Sequence, residues 1–480
     1  MLRPLYLLGP LSALLIAPAT GLAAGGLDPS FGKGGIVPVP FGMGGYANAV
    51  AAGPGGRVLA TGTGPGWNGP GSGFAVAVLA GDRPDPGFGR AGRVTVARTR
   101  RSTGGYGSAV APAGAGQIVA AGTAAYDNDG FIWGRLLVTR LTASGRPDRS
   151  FGGGDGVVVL GHVPLRGGTS TNDGAAGVVV QPGGKVLIAG RAARILRNDD
   201  QDHEAPRDQA FVFVRLNRDG SIDRNFGRAG RLVVRFPGAT LAAMSAVAVN
   251  ARGRILAAGR AGPRPPFGSP PRGRLALVRL LPSGRLDPAF GRSGRVFDPT
   301  DLAFNLEPGA LAVQPDGKPV INLTTGTLSK PVWAVRRLTA SGQPDPAFGP
   351  GGQRTVEIPG SSRFGPAAVA VAGSAACPAI LALGGATVPD AIGGSTNVLA
   401  AASLGPDGTP SPSFGTAGVM LLPSVRGPNG GTDPTRTDFW SATGAFASCG
   451  RVTLSYTPGF GLARLIVPPP ACPAGTGGAQ

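Results

Sequence analysis

An all-β fold is predicted by three features of this 480-residue sequence. It contains 84 glycines and 47 prolines, and inside a helix glycine costs about 1 kcal/mol and proline about 3 kcal/mol. An Asp-x-x-Phe-Gly phrase recurs seven times, with serine in place of the aspartate in the last copy, and its phenylalanine spacings lie between 57 (Phe31 to Phe88) and 75 residues (Phe151 to Phe226). Each interval holds four short apolar segments separated by turn sequences. The pattern predicts a seven-bladed β-propeller of four-stranded antiparallel blades.

The phrases lie near residues 27–37, 83–94, 146–157, 221–232, 285–296, 343–354 and 409–420. All seven contain a phenylalanine: Phe31, Phe88, Phe151, Phe226, Phe290, Phe348 and Phe414. Six contain an aspartate three residues before it: Asp28, Asp85, Asp148, Asp223, Asp287 and Asp345. We interpret the phenylalanines as core residues between blades and the aspartates as turn residues that bond their own backbone. One acid per repeat disfavours a calcium site, which needs six to eight clustered oxygens.

The segments within a repeat follow a fixed order. A short strand such as 92–96 follows the phrase, and a variable loop leads to an apolar strand such as 246–249. A tight glycine-containing turn, as at 181–185, predicts a hairpin with the next strand. After a second variable loop comes a last strand such as 211–216. The first phrase has no blade before it, so the final strand at 461–465 is expected to complete that blade and close the ring.

A second repeated feature pairs basic and acidic positions. Four arginines stand eight residues before a phrase aspartate, and a fifth takes the same place in the final strand: Arg140, Arg215, Arg279, Arg337 and Arg464. The sixth repeat has Ser403 and Ser411 at the two positions and so loses both charges together. We therefore hypothesise that an Arg–Asp pair braces each turn between blades.

These repeats resemble those of the bacterial delta-60 repeat proteins, which carry a Leu-Asp-x-x-Phe-Gly-x-x-Gly phrase, an Asp-Gly-Lys hairpin and a strand ending Arg-Leu. The likeness covers nearly all of the chain after residue 24. It implies export and a propeller-like β fold, and it supplies no catalytic residues. The seventh phrase departs from the pattern, with Pro410-Ser411-Pro412 in place of the aspartate context.

The N-terminal segment predicts export. Arg3, an apolar stretch at 5–17 and the small residues 21–24 are typical of a secretory signal peptide, assigned to 1–24. The repeat region then covers 25–467, and a flexible Pro/Gly-rich tail covers 468–480. The protein is expected to be secreted or associated with the cell envelope, without a membrane span.

Three cysteines, Cys377, Cys449 and Cys472, leave at least one unpaired. Cys449 with Cys472 is the preferred disulfide. Cys377 and Cys449 fall at matching places in consecutive repeats, which are expected to lie beyond the roughly 7 Å limit between Cα atoms. A free structural thiol is the alternative.

The net charge of +19 comes almost entirely from scattered arginines, since only four lysines occur. No stretch combines a basic run with interleaved aromatics, so nucleic acid is not an expected partner. With His162 and His203 as the only histidines, a histidine-rich metal centre is excluded, and neither a metal nor a cofactor is expected.

Recognition is expected in the variable loops, which lie on one face of the predicted propeller. The binding candidates are Asp127, Asp129 and Trp133 in the segment 126–133, and Asp199, Asp200, Asp202, His203 and Glu204 in the longest interval. Solvated loop insertions are the competing interpretation. The predicted function is non-enzymatic binding of an extracellular or cell-envelope ligand by a monomer. The alternatives are a propeller hydrolase or lyase acting on a polymer, using acids such as Glu357, Asp390 and Asp407, and a purely structural envelope protein.

Overall fold

A computed structural model describes residues 26–38, 46–64, 73–96, 102, 104–128, 131–166, 168–170, 172–195, 206–264, 273–302, 310–327, 330–373, 378–389, 394–422, 444–447, 451–456 and 461–466. These residues form strands and short 3-10 helices, and the described part of the chain has no α-helix. No helix in it has the length and apolar character to cross a membrane. The protein is all-β, as the sequence predicts.

The 3-10 helices span Pro54–Gly56, Gly114–Gly116, Pro182–Gly184, Pro346–Phe348 and Pro350–Gly352. The strands in chain order are β1 (Gly26–Leu27), β2 (Ile36–Pro38), β3 (Tyr46–Ala52), β4 (Arg57–Thr63), β5 (Phe74–Ala80), β6 (Arg83–Pro84), β7 (Arg93–Thr95), β8 (Gly104–Pro112), β9 (Ile118–Asn128), β10 (Phe131–Leu141), β11 (Val157–Val159), β12 (Pro164–Leu165), β13 (Gly168–Thr169), β14 (Asn172–Val180), β15 (Val186–Ile195), β16 (Pro206–Leu216), β17 (Arg231–Val234), β18 (Leu241–Val249), β19 (Ile255–Gly262), β20 (Gly273–Leu280), β21 (Arg295–Leu302), β22 (Ala310–Val313), β23 (Pro319–Gly326), β24 (Pro331–Arg337), β25 (Gln353–Val356), β26 (Arg363–Gly373), β27 (Pro378–Pro389), β28 (Ser395–Leu404), β29 (Val419–Leu422), β30 (Gly444–Ala447), β31 (Arg451–Tyr456) and β32 (Gly461–Ile466).

Six antiparallel units are continuous in sequence within the described residues. They are β3–β7 (first), β8–β11 (second), β14–β17 (third), β18–β21 (fourth), β22–β25 (fifth) and β26–β29 (sixth). Each unit places its strands side by side in chain order, and in the first unit two short strands, β6 and β7, share the outer position. A two-stranded hairpin, β12–β13, lies between the second and third units.

A seventh unit combines the two ends of the described chain. Strands β30, β31 and β32 lie in order, and both β1 and β2 pair antiparallel with β32. Leu27 lies opposite Leu465, and Ile36 lies opposite Ala463. The outer strand of this unit is therefore supplied by the segment that carries the first phrase.

The first strands of successive units contact one another. Strand β3 contacts β8, which contacts β14, and the series continues through β18, β22 and β26 to β30, which contacts β3. Single bridges also link neighbouring units at Gly134 with Asn172 and at Leu302 with Thr325.

The phrase phenylalanines lie in the apolar core. All seven are fully buried: Phe31, Phe88, Phe151, Phe226, Phe290, Phe348 and Phe414.

Two of these phenylalanines show how the phrase joins neighbouring units. Phe226 of the third unit packs in one cluster with Phe213 of its own unit and Val278 of the fourth. Phe290 of the fourth unit packs in another cluster with Leu277 of its own unit and Ile321 of the fifth. Burying one such side chain contributes about 1.5–3 kcal/mol. The phrase therefore supplies apolar contact between units.

The expected Arg–Asp pairs are present in four units, with Nε to Oδ2 distances between 2.7 and 2.9 Å: Arg140–Asp148, Arg215–Asp223, Arg279–Asp287 and Arg337–Asp345. Each guanidinium also lies over the phrase phenylalanine of its unit, within 4.6–4.7 Å of the ring centroid. In addition, its Nη1 donates to a backbone carbonyl in the turn of the next unit, at Arg218, Pro282, Ala340 and Pro406 respectively. We call this arrangement the inter-unit clamp.

The seventh unit has two contacts of the same kind. The amide of Asp28 donates to the Arg464 carbonyl over 2.7 Å, and the Arg464 guanidinium carbon lies 4.0 Å from the Phe31 ring centroid. The backbone bond and the stacking on the phrase phenylalanine are therefore common to this unit and the four clamped units.

The first and sixth units depart from the clamp in different ways. In the first unit Val78 takes the arginine position, since its carbonyl accepts from the amide of Asp85. Arg57, from the hairpin between the first and second strands, binds the Asp85 carboxylate at 2.6 Å instead.

In the sixth unit the Ser411 amide still donates to the Ser403 carbonyl, but both charged side chains are replaced by serine. The unit that follows it has no short turn between its third and outer strands in the described chain, because these are β32 and β1. Among the described residues, this following unit therefore offers no such turn carbonyl to a clamp from the sixth unit.

The two edges of each unit carry different connections between strands. Turns between the first and second strands and between the third and outer strands share one edge, which we call the phrase face. Connections between the second and third strands, and from one unit to the next, lie at the opposite edge, the loop face. The inter-unit clamps connect neighbouring units at the phrase face.

Candidate functional site

Two long strands of the second unit carry a group of polar and aromatic side chains toward the loop face. Strands β9 and β10 have 11 residues each, whereas β4 and β5 of the first unit have seven. The segment 126–133 was expected to be a loop, which is wrong for most of it: Asp127 lies in β9 opposite Ile132 of β10. Aromatic residues such as Tyr126 and Trp133 favour strands, and they extend the two-stranded ribbon of β9 and β10.

Four side chains form a layered group that we call the Arg135 stack: Tyr126, Trp133, Arg135 and His162. Tyr126 and Trp133 are directly opposed across the ribbon, and Arg135 lies two residues further along the same side. The Arg135 guanidinium carbon lies 5.1 Å from the Tyr126 ring centroid, and Nη2 donates to Nε2 of His162 over 3.0 Å. The His162 ring meets Trp133 edge-on, with centroids 6.1 Å apart. All four side chains are half-buried.

His162 accepts a hydrogen bond from a cation, which requires its Nε2 to be unprotonated. Burial lowers the pKa of His162, and the charge of Arg135 lowers it further against the opposing effect of the Ser170 backbone. Arg231 Nη1 donates to the His162 carbonyl over 3.0 Å and holds the chain at this point. His162 is therefore a neutral group that orients Arg135.

A buried carboxyl group lies on the other side of the same loop segment. Asp173, near the start of β14, is 1% exposed and accepts a 2.7 Å hydrogen bond from Ser170 Oγ. Burial raises the pKa of Asp173 to about 7, against the lowering effects of Ser170, the Ala193 backbone, Arg231 and Arg135. The carboxyl group thus exchanges its proton near neutral pH.

Ser170 and Val163 tie the loop segment to Asp173. The Ser170 amide donates to the Val163 carbonyl, and the Val163 amide donates to Ser170 Oγ, each over 2.7 Å. Gly134 allows β14 to approach, since a methyl group at that position would lie 3.0 Å from the Asp173 carbonyl oxygen. Asp173 and Ser170 therefore position the segment that presents His162.

The Ser170, His162 and Asp173 side chains do not form a catalytic triad. The Ser170 hydroxyl donates to Asp173, and His162 Nε2 accepts from Arg135, so these three residues lack the serine–histidine hydrogen bond of a triad. In the described chain no group of three or more His, Cys, Asp or Glu side chains is placed to hold a metal ion. The arrangement can orient a guanidinium beside aromatic rings.

The acids considered for polymer cleavage are not brought together. Glu357 is exposed where the chain leaves β25 at the loop face, whereas Asp407 is exposed in a phrase-face turn of the sixth unit. Asp390 lies outside the described residues.

Among the binding candidates, only Trp133 has a described side chain, and it belongs to the Arg135 stack. Asp127 is placed by its backbone in β9. The other candidates and all three cysteines lie outside the described residues: Asp129, Asp199, Asp200, Asp202, His203, Glu204, Cys377, Cys449 and Cys472. So do the predicted signal peptide at 1–24 and the predicted tail at 468–480.

Sequence reasoning missed Arg135, Ser170 and Asp173. Comparison at equal register does not single out Arg135, because the position six residues before the last strand leucine is also an arginine in the fourth unit, Arg274, although it is Ala210 in the third unit and Val398 in the sixth. Asp173 is an acid near the start of β14, whose second half is apolar, and this was a usable signal.

No family model and no curated protein matches this sequence. Solved structures similar to it include the PQQ-bound aldose sugar dehydrogenase from Streptomyces coelicolor, at 11% identity and a TM-score of 0.35, with 78% of this chain and 96% of that chain covered. A subtype N11 neuraminidase-like protein of A/flat-faced bat/Peru/033/2010 (H18N11) has 12% identity and a TM-score of 0.36, with 78% of this chain and 94% of that chain covered. A glucose dehydrogenase has 16% identity and a TM-score of 0.32, with 75% and 95% covered. At these scores the likenesses carry no argument about function.

Proposed function

We propose that this chain is an exported seven-bladed β-propeller of the delta-60 repeat type that binds an envelope or extracellular ligand on its loop face without catalysis. Seven antiparallel units and the circuit of contacts between their first strands support the propeller. The recurring phrase and the N-terminal sequence support the family and the export.

The contrast between the two faces carries the functional part of the proposal. Phrase-face arginines recur from unit to unit and are bound to aspartates and to neighbouring turns. The Arg135 stack occurs in one unit of the described chain, is half-exposed, and gives Arg135 a neutral histidine as its hydrogen-bond partner. Residues that repeat serve the scaffold, and residues that do not repeat on a rigid scaffold are where recognition is usually placed.

A binding screen with paired variants tests this. The purified protein would be screened against cell-wall glycans and peptides, and each ligand found would be titrated by calorimetry against Trp133→Ala and Arg146→Ala. Arg146 is exposed in a phrase-face turn and serves as the matched control. We expect Trp133→Ala to weaken binding at least tenfold and Arg146→Ala to leave it unchanged. Equal effects of the two variants would contradict recognition by the loop face.

The enzymatic alternative has a separate readout. Chromatography of each polymer after incubation with the protein should show intact chains, and the purified protein should contain no bound metal by elemental analysis. Release of shortened chains would replace the binding proposal with a hydrolase or lyase.

A further inference from the structure

We propose that the Arg135 stack binds a carboxylate-bearing sugar of an acidic polysaccharide, with Arg135 holding the carboxylate and Trp133 packing against the apolar face of the sugar ring. This inference rests on the proposed binding function and specifies its ligand class.

The charge of Arg135 argues for an anion. Arg140, on the same strand, is 3% exposed and bound to Asp148, whereas Arg135 is half-exposed and has no ion pair among the described residues. The neutral His162 ring accepts from one of the five N–H donors of Arg135 and leaves the positive charge of the guanidinium in place. A planar guanidinium with free donors matches a carboxylate in a bidentate geometry.

The position of the guanidinium is fixed before any ligand arrives. It lies over the Tyr126 ring on one side and is held by His162 on another, and His162 is itself held by Trp133 and Arg231. Pre-organised groups lose less entropy on binding, which raises affinity. A structural arginine of the clamp has all three of its nitrogens committed within the protein, as Arg140 does.

The aromatic rings argue for a ligand with an apolar surface beside its charge. Trp133 and Tyr126 are half-exposed at the end of the ribbon, although the large side chains of the phrase are fully buried. Binding sites for small ligands combine aromatic walls with a few well-placed polar groups. A uronic acid unit presents a carboxylate and a ring face with C–H groups, which fits both parts of the stack.

The test uses oligogalacturonate as the probe, titrated by calorimetry in 0.15 M salt at about pH 6, with its methyl ester as the uncharged control. The variant Arg135→Gln removes the proposed contact. Arg274→Gln is the matched control, because Arg274 holds the same register position in the fourth unit and is exposed. We expect Arg135→Gln to weaken binding about tenfold to a hundredfold, as for loss of a charged hydrogen bond, and Arg274→Gln to have no effect.

Three results would overturn this assignment: no binding of oligogalacturonate, equal binding of its methyl ester, or equal effects of the two arginine variants. Thermal unfolding of each variant checks that the fold is kept. If Trp133→Ala abolishes binding of another ligand from the screen while oligogalacturonate does not bind, the ligand class is wrong and the loop-face proposal stands. If no ligand depends on Trp133, the binding proposal itself fails.

Discussion

Arg215 Nε donates a 2.7 Å hydrogen bond to Oδ2 of Asp223, and Nη1 of the same side chain donates to the Pro282 carbonyl of the next unit. Lys185 adds a second cation 2.8 Å from the same carboxylate oxygen. One buried carboxylate thus holds the arginine that connects two units.

Asp223→Ala should lower the free energy of unfolding by about 3–5 kcal/mol, because it leaves the buried Arg215 charge without its partner. Urea denaturation measures this. Asp219→Ala, in the exposed turn of the same unit, is the control and should have a much smaller effect. Equal losses from the two substitutions would show that the pair does not brace the turn.

Gly220→Ala should destabilise the protein more than Gly183→Ala. The two glycines have similar φ values of +87° and +81°, so alanine carries a similar backbone cost of about 1–2 kcal/mol at each. A methyl group at Gly220 would also lie 2.8 Å from the Gly152 amide nitrogen and 3.2 Å from Phe151 of the preceding unit, whereas Gly183 has open space around it. The difference between their urea midpoints therefore measures the packing between units, and identical midpoints would argue against that contact.

Introducing a charged pair into the sixth unit, by Ser403→Arg with Ser411→Asp, should not stabilise the protein. The described chain places no following turn there to supply the carbonyl that the other clamps bind. The cost of desolvating the two charges therefore offsets their electrostatic attraction. The free energy of unfolding should change by no more than about 1 kcal/mol or should decrease. The reverse exchange in the second unit, Arg140→Ser with Asp148→Ser, should cost several times more in the same denaturation assay. A clear gain from the first double variant would mean that the clamp works without the neighbouring unit.

Asp173 should make stability fall as pH rises. Its folded pKa of about 7 lies above the ordinary value of 3.8, so the native state binds the extra proton between these values. The free energy of unfolding should drop on the order of 4 kcal/mol from about pH 4 to about pH 7 because of this group. Asp173→Asn should remove that slope in denaturation series from pH 5 to pH 8, while the exposed control Asp155→Asn should keep it. An unchanged slope in Asp173→Asn would assign the effect to other groups.

Asp223 and Asp345 should affect the pH dependence of stability in the opposite direction to Asp173. Burial acts to raise the pKa of Asp223, but hydrogen bonds from Lys185 and Arg215 outweigh it and hold the pKa below its usual value. The pKa of Asp345 is likewise lowered, because Arg337 and Lys318 outweigh the effect of burial. Their stabilising contribution is present above about pH 4 and is lost as the pH falls through the folded pKa values.

Periodicity decides which parts of this molecule could be predicted from its sequence. Phe226, Asp223 and Arg215 have counterparts in other copies, so a comparison within one chain identifies them and their spacing. The Arg135 stack combines two strands with a residue from a separate loop, and no repeat pattern marks its members. The burial that changes the titration of Asp173 comes from tertiary contacts, which local sequence does not encode.

The pairing of Leu27 with Leu465 joins residues 438 positions apart (465 minus 27). Contacts this distant in sequence form late, because the loop-closure entropy is lost before the contact contributes. Until β1 and β2 arrive, β32 presents an open sheet edge able to pair with another chain. We therefore expect closure of the seventh unit to be a late step of folding, and aggregation during refolding should depend on how quickly the first few residues of the repeat region reach the last strand.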